Sequence, residues 1–145
     1  VNYNDPVSDE ENRKMELAAR REKGGEVHEC VDNDETAAVI AGLVKAKILV
    51  LMTSTEGIYQ DRNNPETLVR DVIGKTYEEV EKKVRALQEA CVGASRAGAN
   101  GARAKLEYAL DCVRGGTTVI IGHARHRLSD LKEGRVPCTR IGVEA

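Results

Sequence analysis

Apolar residues in this chain fall into short runs and helical stripes, separated by polar or glycine-rich segments. The densest run, Ile48 to Met52, suits one buried strand. Before it, Ala37, Ala38, Ile40, Ala41 and Val44 recur at helical spacing. Asp32 or Asn33 can cap the free amides of that helix, and acidic side chains favour its positive end. The helix is expected to end at Ala46. Lys47 to Met52 then reads as a central strand, because it is apolar on both faces. Thr53 to Gly57 is the turn at its carboxyl end. Tyr59 to Pro65 is loop, and Leu68 to Ile73 is a short strand.

The pattern continues with a helix from Thr76 to Ala90, with Val80, Val84 and Leu87 on one face and Thr76 with Glu79 as a capping box. Cys91 to Asn100 is small and glycine-rich. A third helix is expected from about Gly101 to Val113, its stripe formed by Leu106, Ala109, Leu110 and Val113. Thr117 to Ile121 is a β-branched strand, Leu128 to Lys132 a short helix, and Thr139 to Val143 a final strand. Ahead of all these, Ser8 to Lys23 is rich in helix formers, and Glu26 to Val31 reads as a short strand. Alternating helices and strands predict one α/β layered domain, or part of one.

Composition narrows the choice. With 3% aromatic residues, no Trp and no Phe, the core must come from Val, Ile, Leu and Ala, which suit a buried parallel sheet. The 22 basic and 24 acidic side chains give a formal net charge of -2, so nothing points to a nucleic-acid partner. No apolar stretch reaches the roughly 18 residues of a membrane span. Cysteines at positions 30, 91, 112 and 138 form no CxxC pair, and none lies close in sequence to His123 and His126. No metal site is expected from the protein's own ligands. Free thiols and an opening without a secretory signal fit a reducing cytoplasm.

Two turns carry candidate chemistry. Thr53 to Gly57 lies outside the carboxyl end of the most apolar strand, where open α/β sheets bind ligands. Gly98 to Gly101 is expected as a glycine-rich turn opening into a helix, which offers unpaired amides to phosphate. Lys105, one turn further on, adds a flexible cation. The GxxxxGK[ST] spacing of a P-loop is absent. Asp32, Asn33 and Asp34 flank a helix start, and Asn2, Asn4 and Asp5 form a second polar knot. Such groups can hold the ammonium and carboxylate of an amino acid.

These segments together resemble the glutamate 5-kinases of the amino-acid kinase family. Asn2-Tyr3-Asn4-Asp5-Pro6-Val7 resembles their NEND(T/A)V segment, and Asp32-Asn33-Asp34 their GDND motif. Lys47 to Tyr59 is similar to the strand and TDxxGLY turn. Gly98 to Ala102 with Lys105-Leu106 is similar to GTGGMxTKL, Thr117 to Gly122 to the VIxxG strand, and Pro137 to Thr139 to the start of the last strand. The resemblance implies a three-layer sandwich with an open, mainly parallel sheet. It implies transfer of the γ-phosphoryl of ATP, with Mg2+, to the side-chain carboxylate of L-glutamate in proline synthesis.

Site roles follow from the same resemblance. Lys105 is the implied phosphoryl-contacting lysine, and Asp34 the aspartate that organises substrate and lysines. Asn2, Asn4, Asp5, Asp32 and Asn33 are implied substrate positions. Thr53, Ser54, Gly57, Tyr59, Gly98 and Gly101 are implied nucleotide positions. The sequence departs from the family at Ser54 (usually Asp), Asn100 (a glycine), Ala102 (a methionine), Cys138 (a glycine) and Glu29-Cys30-Val31. Those departures leave two alternatives open: a non-catalytic amino-acid or nucleotide-sensing module, and a kinase for another small carboxylate. Residues 1–145 are expected to be the C-terminal, nucleotide-binding portion of the domain. The N-terminal portion would come from a longer chain or a second one, and the assembly would be a homo-oligomer.

Overall fold

The computed structural model describes residues 33–61, 63–93 and 97–144. The expected Ser8 to Lys23 helix and Glu26 to Val31 strand, and the candidate residues Asn2, Asn4, Asp5 and Asp32, lie outside them. Helix α1 spans Asn33–Leu43 and leads into strand β1, Ile48–Thr53. Strand β2 (Ile58–Tyr59) and, after a 3-10 turn at Pro65–Thr67, strand β3 (Leu68–Val69) form a small antiparallel pair. Then come β4 (Asp71–Gly74), α2 (Tyr77–Gly93), α3 (Ala97–Arg114), β5 (Thr118–His123), α4 (Leu128–Glu133) and β6 (Thr139–Val143).

The main sheet has the order β1-β5-β6-β4. β1 runs parallel to β5 and β4 parallel to β6, while β5 and β6 are antiparallel. Successive side chains of a strand point to opposite faces, and β5 shows the consequence. Val119 and Ile121 join Leu51 and Ile141 in a core with Ala41 of α1, Val80 and Val84 of α2, and Leu106 and Leu110 of α3. Ile120 faces the other way, onto Leu131 of α4 and Cys138. Helices therefore lie on both faces of a mostly parallel sheet, as expected. Burying each of these aliphatic side chains stabilises the fold by about 1.5–3 kcal/mol.

Local chemistry explains the helix ends. Glu79 N–H donates to Thr76 Oγ1 at 3.3 Å, and Glu79 Oε2 accepts from Lys75 N–H at 2.8 Å. The capping box is present, with its return bond displaced by one residue. At the other end of the sheet, α1 stops at Leu43 rather than Ala46. Lys45 takes a left-handed conformation (φ 52°), and Ala46 N–H closes on Ala41 O at 2.9 Å.

Three expectations need correction. Among the described residues β1, expected to be central, pairs with β5, and no described strand lies on its other side. Its Ile48 and Met52 are accordingly exposed. The single strand expected from Leu68 to Ile73 is two. Val69 faces Ile58 of β2, the Arg70 carbonyl accepts from Arg140 N–H, and Asp71 onward pairs with β6, so the chain changes partner at Arg70. The helix expected to end at Ala90 continues to Gly93. Finally, α3 begins at Ala97, so Gly98 to Gly101 form its first turns instead of a loop before it. Alanines at 97, 99 and 102 are the strongest helix formers and offset glycines that cost about 1 kcal/mol each.

Candidate functional site

Two short connections set the geometry. α1 enters β1, and α3 enters β5, through tight turns in which Thr118 N–H donates to Lys47 O at 2.9 Å and Thr117 Oγ1 to Ala46 O at 2.7 Å. Both helices must therefore run back along their strands, with their N-terminal ends toward the carboxyl ends of β1 and β5. In open α/β sheets ligands bind at that edge.

Between these two helices the structure joins the two residues expected to be catalytic. Lys105 Nζ donates to Asp34 Oδ2 at 2.7 Å, although 71 positions separate them in the chain. Their side chains are 25% and 16% exposed. The ammonium is thus half-sheltered and fixed, yet reachable from solvent. An ammonium carries three N–H bonds, so one directed at Asp34 does not exhaust it. Asn33 is the first residue of α1.

The second cluster lies beyond β1. Thr53 Oγ1 accepts from Thr55 N–H at 3.2 Å, and Thr55 Oγ1 donates to Gly57 O at 3.1 Å, which shapes the turn. Ser54 is exposed at its tip, Gly57 is buried, and Tyr59 is half-buried in β2. Gly57 lies against Thr139: a Cβ there would collide with Thr139 Oγ1 and lie 3.0 Å from Thr139 N. Thr139 is fully buried. Its hydroxyl accepts from Ile58 N–H at 2.9 Å and donates to Val69 O at 2.6 Å. One side chain of β6 thereby fastens the small β2–β3 sheet to the main one.

Sequence reasoning missed a third group. Glu56, inside the same turn, accepts from His126 Nε2 at 2.7 Å and pairs with the Arg125 guanidinium. Both partners belong to the turn after β5. Ala124 N–H also donates to Thr53 O at 2.9 Å, so the two turns are joined by backbone as well. Arg125 N–H donates to His123 Nδ1 at 3.0 Å, which places the proton of a neutral His123 on Nε2. The sequence signal for it is the close spacing of His123 and His126, which suits a carboxylate partner as well as a metal. Among the described residues no three His, Cys, Asp or Glu side chains converge on a common point. Burial pushes the Cys112 thiol up to about 11 and raises Cys138 as well, which keeps both protonated at neutral pH.

The comparisons bear on this arrangement. Residues 16–123 match the model of the amino acid kinase family. This chain belongs to the amino acid kinase family. A glutamate 5-kinase from Frankia casuarinae is 36% identical over 103 residues, covering 70% of this chain and 26% of that relative. The chain thus spans about a quarter of that relative's length. An acetylglutamate kinase from Methanopyrus kandleri is 43% identical over 53 residues, or 37% of this chain and 22% of the relative. Among solved structures, a carbamate kinase from Giardia lamblia bound to AMP-PNP superposes with a TM-score of 0.59 at 18% identity, covering 82% of this chain and 34% of that one. It supports the amino acid kinase fold. No described helix is long and apolar enough to cross a membrane.

Proposed function

We propose that this chain carries the nucleotide-facing part of a kinase that moves the γ-phosphoryl group of ATP to the side-chain carboxylate of L-glutamate. One observation carries the reading. Lys105 and Asp34, drawn from two separate family-like motifs, meet at 2.7 Å between the helices that flank the ligand edge.

The chemistry suits those residues. A carboxylate oxygen of the substrate attacks the γ-phosphorus, and the bond to the β–γ bridging oxygen breaks to leave ADP. The attacking carboxylate is already ionised and needs no general base. What the protein must supply is alignment and positive charge against the phosphoryl oxygens. Lys105 supplies a point charge, and Asp34 fixes it before substrate arrives, so little reorganisation remains for the transition state. The free amides of the first turn of α3, at Gly98 and Ala99, offer donors to the nucleotide phosphates. Family likeness assigns Thr53, Ser54, Gly57 and Tyr59 to the nucleotide, and they follow one another from the carboxyl end of β1 into β2.

Magnesium fits this arrangement as a companion of ATP. Mg2+ takes one or two carboxylates, substrate phosphates and water instead of a protein cage. Asp34 would be the carboxylate to hold it, and the ion would neutralise phosphate charge. The match to the acetylglutamate kinase favours a second reading, in which the acceptor is another small carboxylate.

Hydroxylamine trapping tests the activity. The whole protein with Mg-ATP and L-glutamate should yield γ-glutamyl hydroxamate. Hydroxamate from another carboxylate but not from glutamate would select the second reading. ATP binding without turnover on any carboxylate would mark a sensing module instead.

A further inference from the structure

We infer that Glu56 and His126 are positioning residues that clasp the two turns at the carboxyl ends of β1 and β5, and so hold the Thr53–Ser54 turn in shape for a nucleoside triphosphate. The inference rests on the proposed reading of this edge as the ATP site.

Three features support it. First, the turns are distant in sequence but neighbours in space, because β1 and β5 are paired through Thr53 and His123. Past the last strand residues, one backbone bond, Ala124 N–H to Thr53 O at 2.9 Å, continues that pairing into the turns. Second, the Glu56 and His126 side chains are only 18% and 16% exposed, so their 2.7 Å bond lies largely out of water. A carboxylate only accepts, so His126 must donate from Nε2, and the ring has one orientation that satisfies it. Third, Arg125 lies 60% exposed on the outer side of Glu56. The carboxylate is therefore gripped from inside by an imidazole and from outside by a guanidinium. Removing Glu56 or His126 loosens the segment between Thr53 and Gly57, leaving its shape chiefly to the Thr55 bonds within the turn. Ser54, at its tip, has no strand to hold it.

Phosphate binding at a half-built edge is sensitive to such freedom, since an ordered turn loses less entropy on binding. The clasp therefore acts through the nucleotide's affinity, with the loss falling mainly on KM for ATP.

Calorimetric titration of Mg-ATP into the whole protein and its variants is the test. Glu56→Ala and His126→Ala should each weaken binding about tenfold, the loss expected for one hydrogen bond to a charged group. The double variant should lose about the same tenfold, since both act through one contact. Glu56→Gln still accepts from His126 and should stay within about threefold of the parent. Where alanine leaves the turn unfolded, His126→Phe keeps a ring and removes the donor, and it should show the tenfold loss. Unchanged binding in folded single variants, or losses that multiply to about a hundredfold in the double one, would overturn the clasp. A parent protein that binds no ATP would overturn the proposed function itself, which is a different result.

Discussion

Lys105 Nζ and Asp34 Oδ2 lie 2.7 Å apart, across the seam between α3 and α1. Packing does not require this pair. The seam is already held by Ala37 and Ala41 against residues of the common core, and the pair sits partly in solvent. At 25% and 16% exposed the pair lies between the surface and buried limits, so losing the lysine should cost about 1–2 kcal/mol. Lys105→Ala should therefore lower the midpoint of urea unfolding modestly and leave the protein folded. An unfolding free energy lower by several kcal/mol would assign the pair to the core instead.

The small sheet depends on one hydroxyl. Thr139 bridges Ile58 N–H and Val69 O and is fully buried. Thr139→Val keeps the volume and strands both partners, which should cost about 1–3 kcal/mol in denaturant unfolding. Gly57→Ala should cost a similar amount by collision with the same residue, because overpacking costs about 1–3 kcal/mol. A neutral result for both would show that β2 and β3 are held by something else.

Lys45 offers the opposite sign. It is a non-glycine residue in the left-handed region, at the end of α1 (φ 52°). A side chain costs about 1–2 kcal/mol there, and glycine removes most of that. Lys45→Gly should raise the melting temperature, net of the freedom it adds to the unfolded chain. A fall would mean that the Lys45 side chain makes a stabilising contact.

The α2–α3 seam should soften in acid. Arg85 and Gln88 hydrogen-bond Glu107 and hold its carboxyl below the usual carboxylate range. A carboxyl lowered on folding stabilises the fold above its unfolded value. That contribution fades as pH falls through the lower, folded value. Glu107 is 48% exposed, so water screens the pair and the effect is at most about 1 kcal/mol. Glu107→Gln should lower stability at neutral pH by up to about 1 kcal/mol, leave the acid end unchanged and so flatten the limb between them. An unaltered acid limb would show that the pair contributes nothing.

How far the chain could be read from its residues follows from the range of the forces involved. Local signals held. The Thr76–Glu79 cap, the Val80, Val84 and Leu87 stripe and the last strand from Thr139 to Val143 depend on neighbours in sequence. Partner choice did not show. Nothing near Arg70 says that the strand leaves β2 for β6, since that exchange is set by residues some 70 positions away. At the site, Lys105 and Asp34 were found through motif likeness, not through any signal that they would touch. Glu56, Arg125 and His126 went unnoticed because an acid in one turn and an arginine and a histidine in another make a cluster only after β1 and β5 have paired.

The account turns on whether Lys105 faces the transferring phosphoryl group. Single-turnover transfer from radiolabelled γ-phosphoryl ATP to L-glutamate, measured in the whole protein and in its Lys105→Ala variant, tests this most directly. The parent should form acyl phosphate, and the variant should do so at least about a hundredfold more slowly while still folded. Equal rates in the two proteins would contradict the account.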